Sequence, residues 1–79
     1  MNAVQCRMAR AALGLGVREL ADKAKVSPDT IARLERGDTL RERTVADIRA
    51  TLETAGIIFV AENGEGPGVR LKKDRQPVR

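Results

Sequence analysis

Pro28, Asp29, Thr30 and Arg33 sit together at the start of one short segment and carry side chains suited to reading another molecule. Turned about 100° per residue, this segment sends Ile31 and Leu34 in one direction. Asp29, Ala32, Arg33 and Arg36 fall opposite, with Thr30 and Pro28 on the flanks. The outward face is therefore short, polar and mostly positive. In a DNA major groove such a face has a defined chemistry: Arg donates two hydrogen bonds to guanine, and Asp accepts from the cytosine amino group. A solvated amphipathic helix in a small bundle has the same periodicity, so the surrounding elements must discriminate.

Those elements are compact. Residues 17–37, VRELADKAKVSPDTIARLERG, read as two short amphipathic helices joined by a very tight turn. Leu20 and Ala24 share a face of the first helix, Val26 fills the corner, and Ala21 is small enough for two crossing helices to touch there. Ser27-Pro28 starts the second helix: the Ser oxygen can cap free N–H groups, and Pro at the first helical position loses no hydrogen bond. The small Ala, the corner Val and the Ser-Pro start rarely coincide in an ordinary bundle. Together they specify a helix-turn-helix.

Catalytic and metal chemistry have little to work with. The chain has no His, no Tyr and a single Ser, already used as a helix cap, so the usual nucleophile and base pairings cannot be assembled. Its one cysteine, Cys6, lies in phase with Ala9 and Leu13 as a small core residue, and no Cys/His cluster offers a zinc site. Gly64, Gly66 and Gly68 follow a strand, but no helix begins after them to hold a phosphate, so they read as a turn. No cofactor and no metal are expected.

With 79 residues, the chain suits one modest core, a size at which a partner subunit often adds stability. Fifteen Lys and Arg against 11 Asp and Glu give a net charge of +4, which favours a polyanionic partner. No apolar run approaches membrane-spanning length and the start lacks a signal-peptide pattern. The expected location is cytoplasmic, without membrane association.

A first helix is expected from about Asn2 to Ala12, ending near Gly14. Cys6, Ala9 and Leu13 face the helix-turn-helix, while Val4 and Met8 face away and need another cover. Asp38 to Arg43 reads as a polar loop carrying Arg41 and Arg43 along a DNA backbone. A fourth helix is expected to begin at Thr44, in a capping box with Asp47, and to bury Val45, Ile48, Leu52 and Ala55 before Gly56 ends it. The pattern then changes. Ile57-Ile58-Phe59-Val60 reads as a strand buried on both sides, with Val69-Arg70-Leu71 returning antiparallel after a Gly-rich turn. One face of this hairpin can cover Val4 and Met8; the other face and an open edge call for a second copy of the chain. Ile57, Ile58, Phe59, Val60, Val69 and Leu71 are the expected dimerisation residues. Five basic residues among the ten positions from Arg70 mark a flexible tail, read either as adding a general attraction to DNA or as merely solubilising.

From Cys6 to Leu52 the chain resembles the lambda-repressor/Cro-like (XRE-type) helix-turn-helix regulators of bacteria and phages. The resemblance is carried by Arg10, by Leu13-Gly14-Leu15, by Glu19-Leu20-Ala21 and by Ile31 with Leu34-Glu35-Arg36-Gly37. It implies a mainly α fold of four helices, here followed by a C-terminal β-hairpin that the family pattern lacks. It implies base reading by Pro28, Asp29, Thr30 and Arg33 and phosphate contacts from Arg10, Arg36 and Arg43, to which the surface cations Arg18 and Arg41 are added. It also implies a partly buried ion pair between Arg10 and Glu35. Two positions depart from the family: Val17 stands where Gln or Ser is usual, and Lys25 replaces the turn Gly, requiring an uncommon backbone conformation or a slightly altered turn.

The expected domain division is 1–56 for the helix-turn-helix, 57–71 for the hairpin and 72–79 for the tail. The expected function is a sequence-specific transcriptional regulator, a homodimeric repressor on an inverted-repeat operator in double-stranded DNA. Two alternatives share the fold: an antitoxin whose C-terminal segment also binds a toxin protein, and a protein-interaction adaptor without DNA binding.

Overall fold

The computed structural model describes residues 1–73 in the order α1 (Ala3–Leu13), α2 (Val17–Ala24), α3 (Pro28–Glu35), α4 (Glu42–Thr54), β1 (Ile57–Val60) and β2 (Gly68–Leu71). Four helices precede a two-stranded antiparallel hairpin, as the sequence leads one to expect. Of the tail 72–79, the stretch 74–79 lies outside the described residues.

The first three helices end in the same way. A residue with positive φ, Gly14 (69°), Lys25 (60°) or Gly37 (95°), reverses the chain. Its N–H and the next residue's N–H then return to carbonyls of the last turn: Gly14 to Ala11 and Leu15 to Arg10, Lys25 to Asp22 and Val26 to Ala21, Gly37 to Leu34 and Asp38 to Arg33, all at 3.0–3.3 Å. This paired closure keeps the connections short. Lys25 is the only non-glycine with positive φ among the described residues, at φ 60 and ψ 44, so it does adopt the left-handed turn conformation.

The helix starts are equally local. Asn2 and Gln5 form a reciprocal capping box on α1, with the Asn2 Oδ1 accepting from the Gln5 backbone N–H at 2.8 Å and the Gln5 Oε1 accepting from that of Asn2 at 3.0 Å. The Ser27 Oγ accepts from the Thr30 backbone N–H at 3.1 Å, with Pro28 at the first helical position of α3. The start of α4 differs from expectation. It begins at Glu42, after Arg41, with no side-chain cap, and Thr44 and Asp47 lie inside the helix. Arg41 already supplies the first carbonyl, to Val45 N–H at 3.1 Å, and the preceding Leu40 packs against the core, so the burial of Leu40 moves the start ahead of the Thr44 signal.

Cys6, Ala9, Leu20, Ala21, Ile31, Leu34, Ile48, Leu52 and Ile57 form one buried cluster, with Val26, Val45, Phe59, Val69 and Leu71 packed around it. Ala21 is almost fully buried, as the contact of two crossing helices requires.

The hairpin pairs Ile57 with Leu71, Ile58 with Arg70, Phe59 with Val69 and Val60 with Gly68. Strand alternation therefore turns Ile57, Phe59, Val69 and Leu71 towards this chain's own core, and Ile58 and Val60 to the other side. The strand is not enclosed on two faces within the chain: Ile57 is 1% exposed but Ile58 is 43% exposed. The expectation that the hairpin covers Val4 also fails, while Met8 is half-buried. Val4 stays 50% exposed, and neither residue joins the core, because α1 meets the hairpin through Gln5. The Gln5 Nε2 donates to both Val60 O and Gly68 O at 3.1 Å, tying α1 to the turn end of the ladder. On the other side Arg49 of α4 stacks 4.8 Å from the centre of the Phe59 ring.

Candidate nucleic-acid interface

The side of α3 that carries Ile31 and Leu34 is locked into the core, so the remaining sides are set by helix geometry alone. Pro28, Asp29 and Arg33 are exposed, and Thr30 is half-buried with its hydroxyl 2.9 Å from the Ser27 Oγ. Of the four residues expected to read bases, Asp29 and Arg33 lie on the side away from the core, Pro28 and Thr30 flank it, and Arg33 stands in the last turn while the other three stand in the first. Asp29 lies in the first turn of α3, where the helix dipole favours its charge.

Beside this face runs an open, polar groove of about 330 Å³, lined by Thr30, Arg33, Thr39, Leu40, Arg41 and Thr44. It joins α3 to the start of α4. The first N–H groups of α4 have no intrahelical acceptor and, with no side-chain cap, can donate to an anion near Arg41. Arg36, Arg41 and Arg43 are exposed around the groove and the helix ends, and Arg18 is exposed on the first turn of α2. Two arginines and three hydroxyl-bearing side chains along one concavity make a surface for phosphate oxygens.

Arg10 has a different setting. Its Nε and Nη2 donate to the two Glu35 oxygens at 2.9 and 2.8 Å, and its Nη1 donates to Leu15 O at 3.2 Å. Three of the five guanidinium donors are spent inside the protein, leaving two for any phosphate. The Cys6 Sγ also donates to Glu35 Oε2, at 3.4 Å. Burial pushes the Glu35 carboxyl up, but hydrogen bonds from Arg10 and Cys6, with the charges of Arg10 and Arg7, outweigh it and hold the carboxyl below its ordinary value. Burial, and then the hydrogen bond to Glu35, push the Cys6 thiol up to about 12. Cys6 is therefore a neutral thiol locked between α1 and α3.

Two contributors escaped the sequence reading. Asp38 accepts from Arg36 Nη2 at 2.9 Å and lies 3.8 Å from Arg33 Nε, so the two outward arginines of α3 share one carboxylate. The signal was Gly37, whose reversal folds the following residue back onto the last turn. Gln5 was the other, and its signal was the Asn2-x-x-Gln5 spacing. Among the expected dimerisation residues, Ile57, Phe59, Val69 and Leu71 serve the internal core, and Ile58 and Val60 lie on the outer face.

A short α2, a reversed turn and an α3 that exposes one polar side define a helix-turn-helix of the kind that enters a DNA groove. A family model for the helix-turn-helix domain matches residues 3–56, more than half of the chain, and the chain belongs to that family. Membership points to a DNA-binding regulator, a class that is typically not enzymatic. No curated protein matches the chain. No helix among the described residues is long and apolar enough to cross a membrane.

Proposed function

We propose that this protein is a sequence-specific, homodimeric DNA-binding repressor of the lambda-repressor/Cro-like type, acting in the cytoplasm by covering a promoter. The observation that carries the reading is the exposed side of α3. Pro28, Asp29, Thr30 and Arg33 stand on a helix whose opposite side is fixed in the core, next to a groove lined by Arg33 and Arg41. In this reading α3 enters the major groove, Arg33 pairs with a guanine, Asp29 accepts from a cytosine, and Arg18, Arg36, Arg41 and Arg43 hold phosphates, with Arg10 contributing through its two remaining donors.

The dimer is supported by the outer face of the hairpin, where Ile58 is 43% exposed beside Val60. A second copy of the chain placed on that face covers the apolar surface and an open strand edge, and sets the two α3 helices on one side of the duplex. The operator is then an inverted repeat with half-site centres one helical turn apart, roughly 34 Å. A mobility-shift and footprinting experiment on the DNA upstream of the protein's own gene tests this. Two protected half-sites at that spacing are expected, and a single unrepeated half-site at saturating protein removes the dimeric reading. Ile58→Arg should leave the fold intact but give a monomer that has lost the operator. Retained dimerisation in that variant would move the interface elsewhere and leave the outer face for another protein, such as a toxin.

A further inference from the structure

The C-terminal end of α3 places an acid where none is expected. In the paired closure of a helix end, the residue after the reversed one commonly makes an apolar contact with the last turn. Here that residue is Asp38, its N–H bonded to Arg33 O at 3.0 Å, and its carboxylate meets Arg36 at 2.9 Å and Arg33 at 3.8 Å. A carboxylate at a helix C-terminus opposes the helix dipole, and exposed ion pairs of this kind add little to stability. Asp38 also sets a negative charge beside a groove lined by arginines, which weakens any general attraction to a polyanion. Stability and bulk affinity therefore both argue against an acid here.

We propose that Asp38 is a specificity-determining residue: an internal competitor that holds Arg33 and Arg36 against itself and surrenders them only to a correctly placed guanine and phosphate. This rests on the DNA-binding reading above. On random duplex, phosphates alone must displace Asp38 from each arginine, and the exchange of one anion for another gains little. On the operator, Arg33 gains two directed hydrogen bonds in a fixed geometry, and the exchange is favourable. Because the Asp38 backbone N–H is bonded to Arg33 O, the carboxylate is already in position and loses little freedom in holding the pair.

The test compares Asp38→Asn with wild type on two duplexes: random sequence, and the sequence that wild type selects from a random pool. Asp38→Asn should bind random duplex at least about threefold more tightly, with a salt dependence steeper by one to two released ions, while binding to the selected duplex changes less. The ratio of the two affinities then falls. Glu65→Gln, which removes one exposed carboxylate from the hairpin turn, controls for net charge and should leave the ratio unchanged. An unaltered ratio in Asp38→Asn, or an equal change in Glu65→Gln, overturns the proposal. Without DNA, the Arg33 and Arg36 side-chain Nε–H resonances should shift in Asp38→Asn, and unshifted resonances also overturn it. If wild type binds no duplex even at low salt while those resonances do shift, the DNA-binding reading fails, and the role in specificity falls with it.

Discussion

Two arginine–carboxylate clusters flank α3, and they differ in burial more than in chemistry. Towards α1, Arg10 grips Glu35 through two hydrogen bonds, with Glu35 only 8% and Arg10 23% exposed at the side chain. Just past the C-terminal end of α3, on its outward side, Arg33 and Arg36 share Asp38 with all three side chains more than 40% exposed. The inner cluster cannot exchange partners without leaving a charge in a poorly solvated place, so it fixes how α1 sits on α3. The outer cluster loses little when it opens, because water or phosphate can take either partner's place. The same pairing thus serves as a rivet on one side of the helix and a latch on the other.

Glu35→Gln puts this contrast to its most severe test. It should destabilise the fold by about 3 kcal/mol at neutral pH, the lower end for a broken buried pair because Arg10 keeps some access to water. Urea unfolding measures it, and a loss as small as that of an exposed pair would erase the contrast. The pH dependence has a definite sign. Folding lowers the Glu35 pKa, so the unfolded chain takes up the proton more readily; the pair's contribution is complete above the unfolded value, about 4.3, and is lost as pH falls through the lower folded value. The stability gap between wild type and Glu35→Gln should close over that acid range.

Arg33→Ala examines the latch. It should cost about 1–3 kcal/mol on the selected duplex and relax preference at one or two base pairs, with the unfolding midpoint nearly unchanged. Arg43→Ala should instead weaken all duplexes alike and reduce the salt slope by about one. Equal losses on specific and random DNA from both changes would assign the outer face to phosphates only.

Smaller effects refine the inner cluster. Cys6→Ala removes a hydrogen-bond donor and a buried sulfur, and should cost about 1 kcal/mol. In the folded protein the thiol should resist alkylation at pH 8, since it is buried and its pKa is pushed to about 12. Rapid labelling without unfolding would show that α1 opens from α3. The smallest change is expected from Asp38→Asn, whose effect on folding should stay within about 0.5 kcal/mol, as for other exposed pairs. A larger loss would make the latch a structural element like its counterpart.

The elements were legible wherever a local rule governed them. Ser27-Pro28 announces α3 because capping needs only neighbouring backbone; Ala21 and Val26 mark the corner because only small or compact side chains fit there. The switch from helical spacing to Ile57-Ile58-Phe59-Val60 announces the hairpin. At Lys25 the likeness to a family left either a left-handed residue or an altered turn open, and the structure decides for the left-handed one. The facing of Arg10 and Glu35 came from likeness to a family, as residues 25 apart carry no local sign of contact.

What tertiary structure alone decided lies where a local preference meets a distant partner. Thr44 offers a helix start, but burial of Leu40 against the core brings the helix forward to Glu42. Val4 and Met8 suggest an apolar seat for the hairpin, yet the polar Gln5 makes the joint, because two strand carbonyls arrive within reach of its amide. Period-two alternation could separate Ile57 and Phe59 from Ile58 and Val60, but only the packed helices determine which pair is inside. Asp38 meets Arg33 and Arg36 because the chain reverses at Gly37, a direction that residue order permits and three-dimensional closure fixes.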